Sequence, residues 1–432
     1  MPYRQSLQES LDYLEENLQC EVTAQELADR AGVSLFYYYR LFRRYTGMPV
    51  MQYILRRRLM HAAYAVRSGE KRIDAALAYG FETYAGFYKA FRREFGCTPS
   101  QYIRLKRAKR PVRQELLAAD DMELTRDTAR NVLKHWNREN EPVADLYYES
   151  SGYRAPQAKC VGESCVLKRE RERQTIQNAI QIARELENAG VHTYTPVPAS
   201  DGRLTIEKDG WWYWLAERPK TAQIRAESMY GPDSAAKARF AGEVIGQLHL
   251  ILRKAETAVE DADLLQAVRG WALPAIRDKL KLSDGFINGW LERFESLYPR
   301  LPRQVIHRDP NPGAILSGEQ GWGMIDLERA ERNARLFDPC YAATAILSES
   351  FDEKNEAKLN EWTGIYHNLL EGYDSVAALT PQEKECAPFM VLANQFVCTA
   401  WFAGQKQYPE LYETNLKMTK WILAHVEELA LD

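Results

Sequence analysis

Residues 75–103, AALAYGFETYAGFYKAFRREFGCTPSQYI, decide how the front of the chain folds. Two short helical runs flank Gly80 and Phe81, and the break calls for a turn residue free to take positive φ. Beyond it, Tyr84, Phe87, Phe91 and Phe95 recur at helical spacing and predict one buried stripe. Ala85, Lys89, Arg92 and Arg93 then fall on the opposite face. Small and cationic side chains on the outer face of a second helix suit entry into a DNA major groove and capture of phosphates. Taken alone, the helix also fits an ordinary amphipathic element with a solvated charged face.

The stretch has a counterpart upstream. Leu7, Leu11, Leu14 and Leu18 predict a first helix over about residues 6–18. Thr23 with Glu26 has capping-box spacing before a short helix, and Gly32 makes the turn after it. Ser34 caps the next helix, with Tyr38, Leu41, Phe42 and Tyr45 inward and Phe36, Tyr39, Arg40 and Arg43 together on the other side. At an offset of 49, residues 40–54 match residues 89–103 at seven of fifteen positions: Phe42/Phe91, Arg43/Arg92, Arg44/Arg93, Gly47/Gly96, Gln52/Gln101, Tyr53/Tyr102 and Ile54/Ile103. Such a repeat indicates a duplicated unit. Between the copies, MQYILRRRLMHAAYAVRSG predicts a long helix with Ile54, Leu55, Leu59, Ala62 and Val66 inward. It would space two reading helices for successive major grooves, about 34 Å apart.

Length and charge bound the rest. The 432 residues imply two or three domains. Residues 1–110 hold 19 Lys+Arg and 11 Asp+Glu, net +8, and the remainder is net −11, so a polyanion partner is expected for the head only. Seven cysteines without close CxxC pairs argue against a disulfide framework or a zinc site. No apolar run approaches the roughly 20 residues of a membrane helix, and the acidic, helical start is unlike a signal peptide, so no membrane partner and a cytoplasmic location are expected.

Residues 21–104 resemble the AraC/XylS-type DNA-binding domain through ELADRAGVS, RLFRRYTG, RRRLMHAA and ALAYGFETYAGFYKAFRREFGCTPSQYIR. The resemblance implies an all-α double helix-turn-helix that binds double-stranded DNA, with RNA polymerase as a candidate further partner. It places Ser34, Phe36, Tyr39, Arg40, Arg43 and Arg44 of the first unit, and Tyr84, Ala85, Lys89, Arg92 and Arg93 of the second, at the DNA. Arg can pair bidentately with guanine, and aromatic residues offer apolar contact to thymine methyls. Ala85 and Gly86 stand where longer polar side chains are common, so the second unit is expected to hold phosphates more than to choose bases.

After about residue 108 the composition turns polar, and Pro111 marks a break. VADLYYESS and QAKCVGESCVLK predict a hairpin around Gly162-Glu163, a helix follows over about residues 173–188, and RLTIEKDGWWYWLAE predicts strands around an Asp209-Gly210 turn. Trp211, Trp212 and Trp214 suit packing or a cleft wall. Beyond Pro232 the pattern is helical, apart from VIHRDPNPGAIL and GWGMIDLERA. A small sheet with one helix, then a helical lobe, is the order used by kinase-type phosphotransferases.

Residues 122–425 resemble the aminoglycoside-phosphotransferase and choline-kinase-like superfamily, with AGEVIGQLHLIL and RLFDPCYAATAIL as helical-lobe segments. The implied fold is an α+β protein-kinase-like two-lobe domain. The resemblance assigns Asp309 as the base beside the hydroxyl to be phosphorylated, Lys168 to nucleotide phosphates and Asp326 to magnesium, with ATP and Mg2+ as cofactors if the site functions. Two departures stand out: Ala314 replaces the asparagine expected as a metal ligand, and the helix that offers a glutamate to the lysine has Ala179 nearest that position, with Glu185 the closest acid. His249 and His307 fit hydrogen-bonding roles better than metal ligation. The expected organisation is a DNA-binding head over 1–108, a linker over 109–121 and a kinase-like domain over 122–432. Function divides between a transcription regulator whose kinase-like domain senses a small molecule or nucleotide and an active small-molecule phosphotransferase with an autoregulatory head.

Overall fold

The computed structural model describes residues 3–46, 48–113, 123–147, 154–255, 257–319, 321–404 and 409–431, and the side chains of Phe36, Arg40 and Arg44 lie outside the described residues. The chain forms two compact units, Met1–Arg169 with Pro198–Leu215, and Glu170–Val197 with Ala216–Asp432.

The first unit opens with seven helices: α1 (Tyr3–Glu16), α2 (Ala24–Arg30), α3 (Leu35–Thr46), α4 (Val50–Arg67), α5 (Arg72–Ala78), α6 (Tyr84–Phe95) and α7 (Pro99–Arg104). Their ends follow the residues at them. Thr23 caps α2, but only half of the expected capping box forms, because the Glu26 carboxylate accepts instead from the Tyr13 hydroxyl at 2.5 Å. Gly80, at φ +81°, makes the turn between α5 and α6, and Thr83 caps α6 by accepting from the Gly86 amide. Leu7, Leu11, Leu14, Leu18, Leu27, Tyr38 and Phe42 form the core of the first helix-turn-helix, and Leu59, Ala62, Phe87, Phe91 and Tyr102 that of the second. The sequence repeat is also a structural one: Phe42 meets Tyr53 edge-on at 5.3 Å and 80°, and Phe91 meets Tyr102 at 5.2 Å and 80°.

The arginine run of α4 is spent on the interior. Arg57 forms a bidentate pair with Glu15 at 2.6 and 2.7 Å, Arg58 caps the carbonyls of Leu18 and Cys20, and Arg56 joins Glu94 of α6 at 3.0 Å.

Helix α8 (Arg126–Leu133) follows, then strands β1 (Val143–Tyr147), β2 (Arg154–Val161) and β3 (Cys165–Glu170). β1, β2 and β3 pair antiparallel, and Gly162 at φ +57° turns β2 into β3, as the hairpin pattern predicts. Asp209 and Gly210 both take positive φ between β5 (Ile206–Lys208) and β6 (Trp211–Glu217), the geometry of a two-residue hairpin turn. Of the tryptophans, Trp211 and Trp214 are buried, and Trp211 stacks under the Arg169 guanidinium at 3.9 Å.

This sheet is fastened to the second helix-turn-helix by a buried lattice of charges. Arg56 reaches past Glu94 to Asp145 on β1 at 2.8 Å; Lys159 on β2 pairs with Asp145 at 2.8 Å and Glu123 at 3.2 Å; Arg154 completes the set on Glu123. Burial alone would raise the Asp145 carboxyl, but Arg56, Arg154 and Lys159 overcome it and hold the group well below the usual carboxylate range. Tyr147, at the end of β1, stands edge-on to Tyr102 and beneath Arg107 at 4.1 Å.

The second unit contains α9 (Arg173–Asn188), β4 (Thr195–Val197), β7 (Ala222–Gln223), α10 (Ser234–Leu252), α11 (Leu264–Ala267), α12 (Leu273–Leu280) and α13 (Asp284–Leu297). It continues through β8 (Arg303–Ile306), β9 (Ile315–Gly318), β10 (Gly321–Met324) and β11 (Glu331–Ala334) to α14 (Phe337–Ser350), α15 (Glu356–Val376), α16 (Pro381–Ala403) and α17 (Pro409–Ala424). β7, β9 and β10 form one small sheet, and β8 with β11 another. α10 and α15 approach so closely that a Cβ on Gly242 would lie 1.9 Å from the Leu369 carbonyl oxygen, and one on Gly372 would lie 2.1 Å from that of Arg239. Glycine is required there by packing. Among the described residues α16 is long and apolar enough to cross a membrane, contrary to the expectation that no run comes near that length. Its side chains are mostly buried in the core of this unit.

Candidate functional site

Two sets of residues carry chemistry. The first is the outer face of α3 and α6, the second helix of each helix-turn-helix. Tyr39 and Arg43 on α3 are exposed, and Ser34 receives the Tyr37 amide at 3.4 Å at the start of that helix. On α6, Ala85, Lys89, Arg92 and Arg93 are all exposed, while Tyr84 is half-buried against Phe87. The expected sorting of α6 into an apolar and a basic face is thus realised, with the buried Glu94 the exception that pairs inward.

The second set lies in the turn after β8. Ile306 leaves the sheet, Arg308 takes φ +75°, and Asp309 follows half-buried. Three groups hold this loop. Asp338, fully buried near the start of α14, accepts from the backbone N–H of His307 at 2.8 Å and of Arg308 at 2.9 Å. Its Oδ2 is also met by His249 Nε2 at 2.9 Å, and His249 Nδ1 lies 2.7 Å from the Tyr373 hydroxyl. A carboxylate buried without such donors would be strongly unfavourable, so the loop and the carboxylate stabilise each other.

His307 makes the third link. Its Nε2 faces the Ile325 carbonyl at 2.8 Å and its Nδ1 faces the Asp309 amide at 3.2 Å. A carbonyl only accepts and an amide N–H only donates, so the proton resides on Nε2 and Nδ1 is the acceptor. The Ile325 amide in turn donates to the Ala314 carbonyl at 3.0 Å. The Asp309 loop and the Asp326 strand end are therefore stitched together, and Asp326 is presented at φ +64° and ψ +48°, a left-handed conformation uncommon for a non-glycine residue.

The Asp309 carboxylate has its own partners. Asn311 Nδ2 donates to Oδ1 at 3.1 Å, and the Tyr341 hydroxyl of α14 bonds it from another side. Burial first, and then the Asp309 carboxylate, pushes the Tyr341 phenol well above its usual range. Cys398 of α16 lies by the same loop; burial raises its thiol to about 11 against the pull of Arg308. Arg308 itself turns away from Asp309, pairing with Glu331 at 3.2 Å and lying over Phe337 at 4.6 Å.

The metal ligands fare less well. Ala314 is fully buried and offers a methyl group where the resemblance calls for an oxygen ligand, and Asn311 is turned onto Asp309 as a donor. Among the described residues no three His, Cys, Asp or Glu side chains gather as a metal cluster. Ala314 thus removes one of the oxygen ligands that the resemblance assigns to magnesium, and Asp326 remains as the assigned carboxylate. On α9, Ala179 is buried and Glu185 is exposed. Lys168 is buried on β3, opposite Ala158. His249 and His307 hold the catalytic-type loop in place, in keeping with hydrogen-bonding roles.

Reading the sequence missed Asp338, Tyr341 and Cys398 as site residues. Asp338 left one signal, a lone acid inside the apolar run RLFDPCYAATAIL, which must find donors once that run is buried.

Comparison with known proteins bears on both sets. A helix-turn-helix domain model matches residues 27–105, and the model of the phosphotransferase enzyme family matches residues 150–379, more than half the chain. The chain belongs to the phosphotransferase enzyme family. Its head also belongs with the AraC-type regulators: it is 34% identical over 103 residues to the regulatory protein SoxS of Salmonella typhimurium, covering 24% of this chain and 96% of SoxS. It is 36% identical over 101 residues to the TetD protein of transposon Tn10 from Escherichia coli, covering 23% of this chain and 73% of TetD. It is 34% identical over 97 residues to YkgA of Escherichia coli, a putative HTH-type transcriptional regulator, and there spans only 41% of the relative. The phosphotransferase domain shares its fold with a microcompartment-associated aminopropanol kinase (TM-score 0.52, 17% identity, 70% of this chain and 96% of that one). It does so equally with the amicoumacin kinase hAmiN, solved with AMP-PNP, Ca2+ and Ami (TM-score 0.54, 11% identity, 72% and 95%). The double helix-turn-helix and the kinase-like domain expected from the sequence are both present.

Proposed function

We propose that this DNA-binding regulator uses its phosphotransferase domain as a sensor of a small molecule or nucleotide, with phosphoryl transfer impaired. Residues 1–108 serve as the reading head, 109–121 as the connection and 122–432 as the sensor. The observation that carries this reading is the buried Ala314. Phosphoryl transfer depends almost wholly on positioned charge, and a loop otherwise held in working order by Asp338 and His307 lacks one metal ligand. The engagement of Asp309 by Asn311 and Tyr341 supports it, since both donors occupy the carboxylate that would accept a substrate proton. Lys168 and Asp326 then serve binding. At the DNA, Tyr39, Arg40 and Phe36 are assigned to base choice and Arg43, Arg44, Lys89, Arg92 and Arg93 to phosphates, with Ser34, Tyr84 and Ala85 approaching the groove.

The test is a paired assay on the full chain with ATP and magnesium. Binding is read by thermal shift, since a ligand of the native state stabilises it by mass action, and turnover is read on amino-alcohol and aminoglycoside acceptors. The expected result is stabilisation without turnover in the natural chain and magnesium-dependent turnover gained by Ala314→Asn. Natural-chain turnover that Asp309→Asn abolishes would favour the second reading, an active phosphotransferase with an autoregulatory head, which the intact order of Asp309, Asp326 and the His307 clamp supports.

A further inference from the structure

Helix α8 lies between the segments that match the two family models. Thr125 caps it by accepting from the Thr128 amide at 3.1 Å, which fixes the direction of its first turn. The two residues of that turn reach both reading helices. Arg126 donates to the Glu94 carbonyl at 3.3 Å, one of the carbonyls left over in the last turn of α6. Asp127 forms an ion pair with Arg43 on the outer face of α3, 84 residues away in sequence.

The Arg43 pair is the informative one. Both side chains stay more than half exposed, at 60% for Arg43 and 54% for Asp127, so the pair is not part of a core. Arg92, which occupies the position of Arg43 in the second copy of the repeat, is exposed and makes no ion pair among the described residues. Two equivalent cations therefore differ in one respect: the first has a carboxylate supplied by the segment that leads into the phosphotransferase domain.

We propose that Asp127 is an internal competitor for DNA. A carboxylate and a phosphate engage a guanidinium through the same planar set of donors, so Arg43 cannot serve both fully. DNA binding then requires that Arg43 leave Asp127. This rests on reading α3 as a helix that contacts DNA. An exposed ion pair is weak, so the competition corresponds to a change of at most about fivefold in affinity. It lowers binding to every sequence alike, because a phosphate contact carries no base information. A modest brake of this kind limits occupancy of non-specific DNA without preventing specific binding.

The experiment titrates the full chain with a labelled random-sequence duplex at low and moderate salt. Asp127→Asn is expected to tighten binding by about threefold to fivefold at low salt, with a smaller gain as salt screens the charges. Asp127→Ser, which also suits a helix N-terminus, should act in the same direction, and an unchanged melting temperature in either variant excludes a folding effect. Arg43→Ala should weaken binding, and Asp127→Asn should give no gain in that background. No tightening in either Asp127 variant, while Arg43→Ala still weakens binding, overturns the competitor but leaves the contact of α3 with DNA standing. An equal gain with and without Arg43 also overturns it, since the effect would then be one of net charge. Unchanged binding by Arg43→Ala overturns both.

Discussion

Arg56→Met should separate α6 from the small sheet. The guanidinium bridges Glu94 on α6 at 3.0 Å and Asp145 on β1 at 2.8 Å, and the three side chains are 10%, 9% and 5% exposed. Methionine keeps most of the apolar stem and deletes the charge, leaving two carboxylates in a nearly dry setting. Removing one partner of a buried pair costs about 3–5 kcal/mol. Asp145 retains Lys159 at 2.8 Å, whereas Glu94 loses its ion-pair partner, so the lower end applies, about 3 kcal/mol. Urea is the suitable denaturant, because guanidinium would screen the charges at issue. Amide hydrogen exchange in α6 and β1 then tests whether the loss is local. A double variant, Arg56→Met with Glu94→Leu, should recover a large part of the stability by removing the stranded acid. A cost below about 1 kcal/mol, or a double variant no better than the single, would refute the bridge as a structural element.

Two further outcomes follow from other features. Gly242→Ala should destabilise the chain by about 1–3 kcal/mol or more, since its Cβ would meet the backbone of α15, whereas Gly289→Ala on the open face of α13 should stabilise it by about 0.5–1 kcal/mol; opposite shifts in melting temperature check the pair. Acid should unfold the first unit through Glu15, Glu123 and Asp145. In each, burial favours the neutral form, but neighbouring cations, together with His61 at Glu15, hold the folded-state pKa below its ordinary value. The stability these groups contribute is therefore complete above the unfolded carboxylate value of about 4 and is lost as pH falls through the folded values below it. Urea midpoints measured against pH should be flat down to about pH 5 and drop below about 4, less steeply in Asp145→Asn.

Most of the head was legible from local rules. Thr23 and Gly80 act where a cap or a positive-φ turn was needed, and the repeat announced the matched aromatic pairs. The Asp209-Gly210 and Gly162 turns were legible for the same reason, since a few neighbouring residues decide them. What stayed hidden depends on residues far apart in the chain. Arg56, Arg57 and Arg58 counted toward a basic, DNA-facing head, yet their partners Glu94, Glu15 and the Leu18 carbonyl come together only in the fold. The site divided in the same way. Asp309 and Asp326 stood in a readable motif, but the carboxylate that holds the loop, Asp338, acts from 29 residues beyond Asp309, in a mainly apolar run.

The two copies of the repeat are alike in their aromatic pairs, and among the positions where they differ is one at which the first has Tyr45 and the second Glu94. That difference limits how freely the head can be exchanged between proteins. SoxS is matched over 96% of its length by this head. Here the second copy carries an acid whose arginine takes its other carboxylate from β1, outside the head. A graft of residues 1–108 onto another domain would carry Arg56 and Glu94 along and leave Asp145 behind. To function as an interchangeable part, the graft would need a new acid opposite Arg56, or the loss of the arginine and its glutamate together.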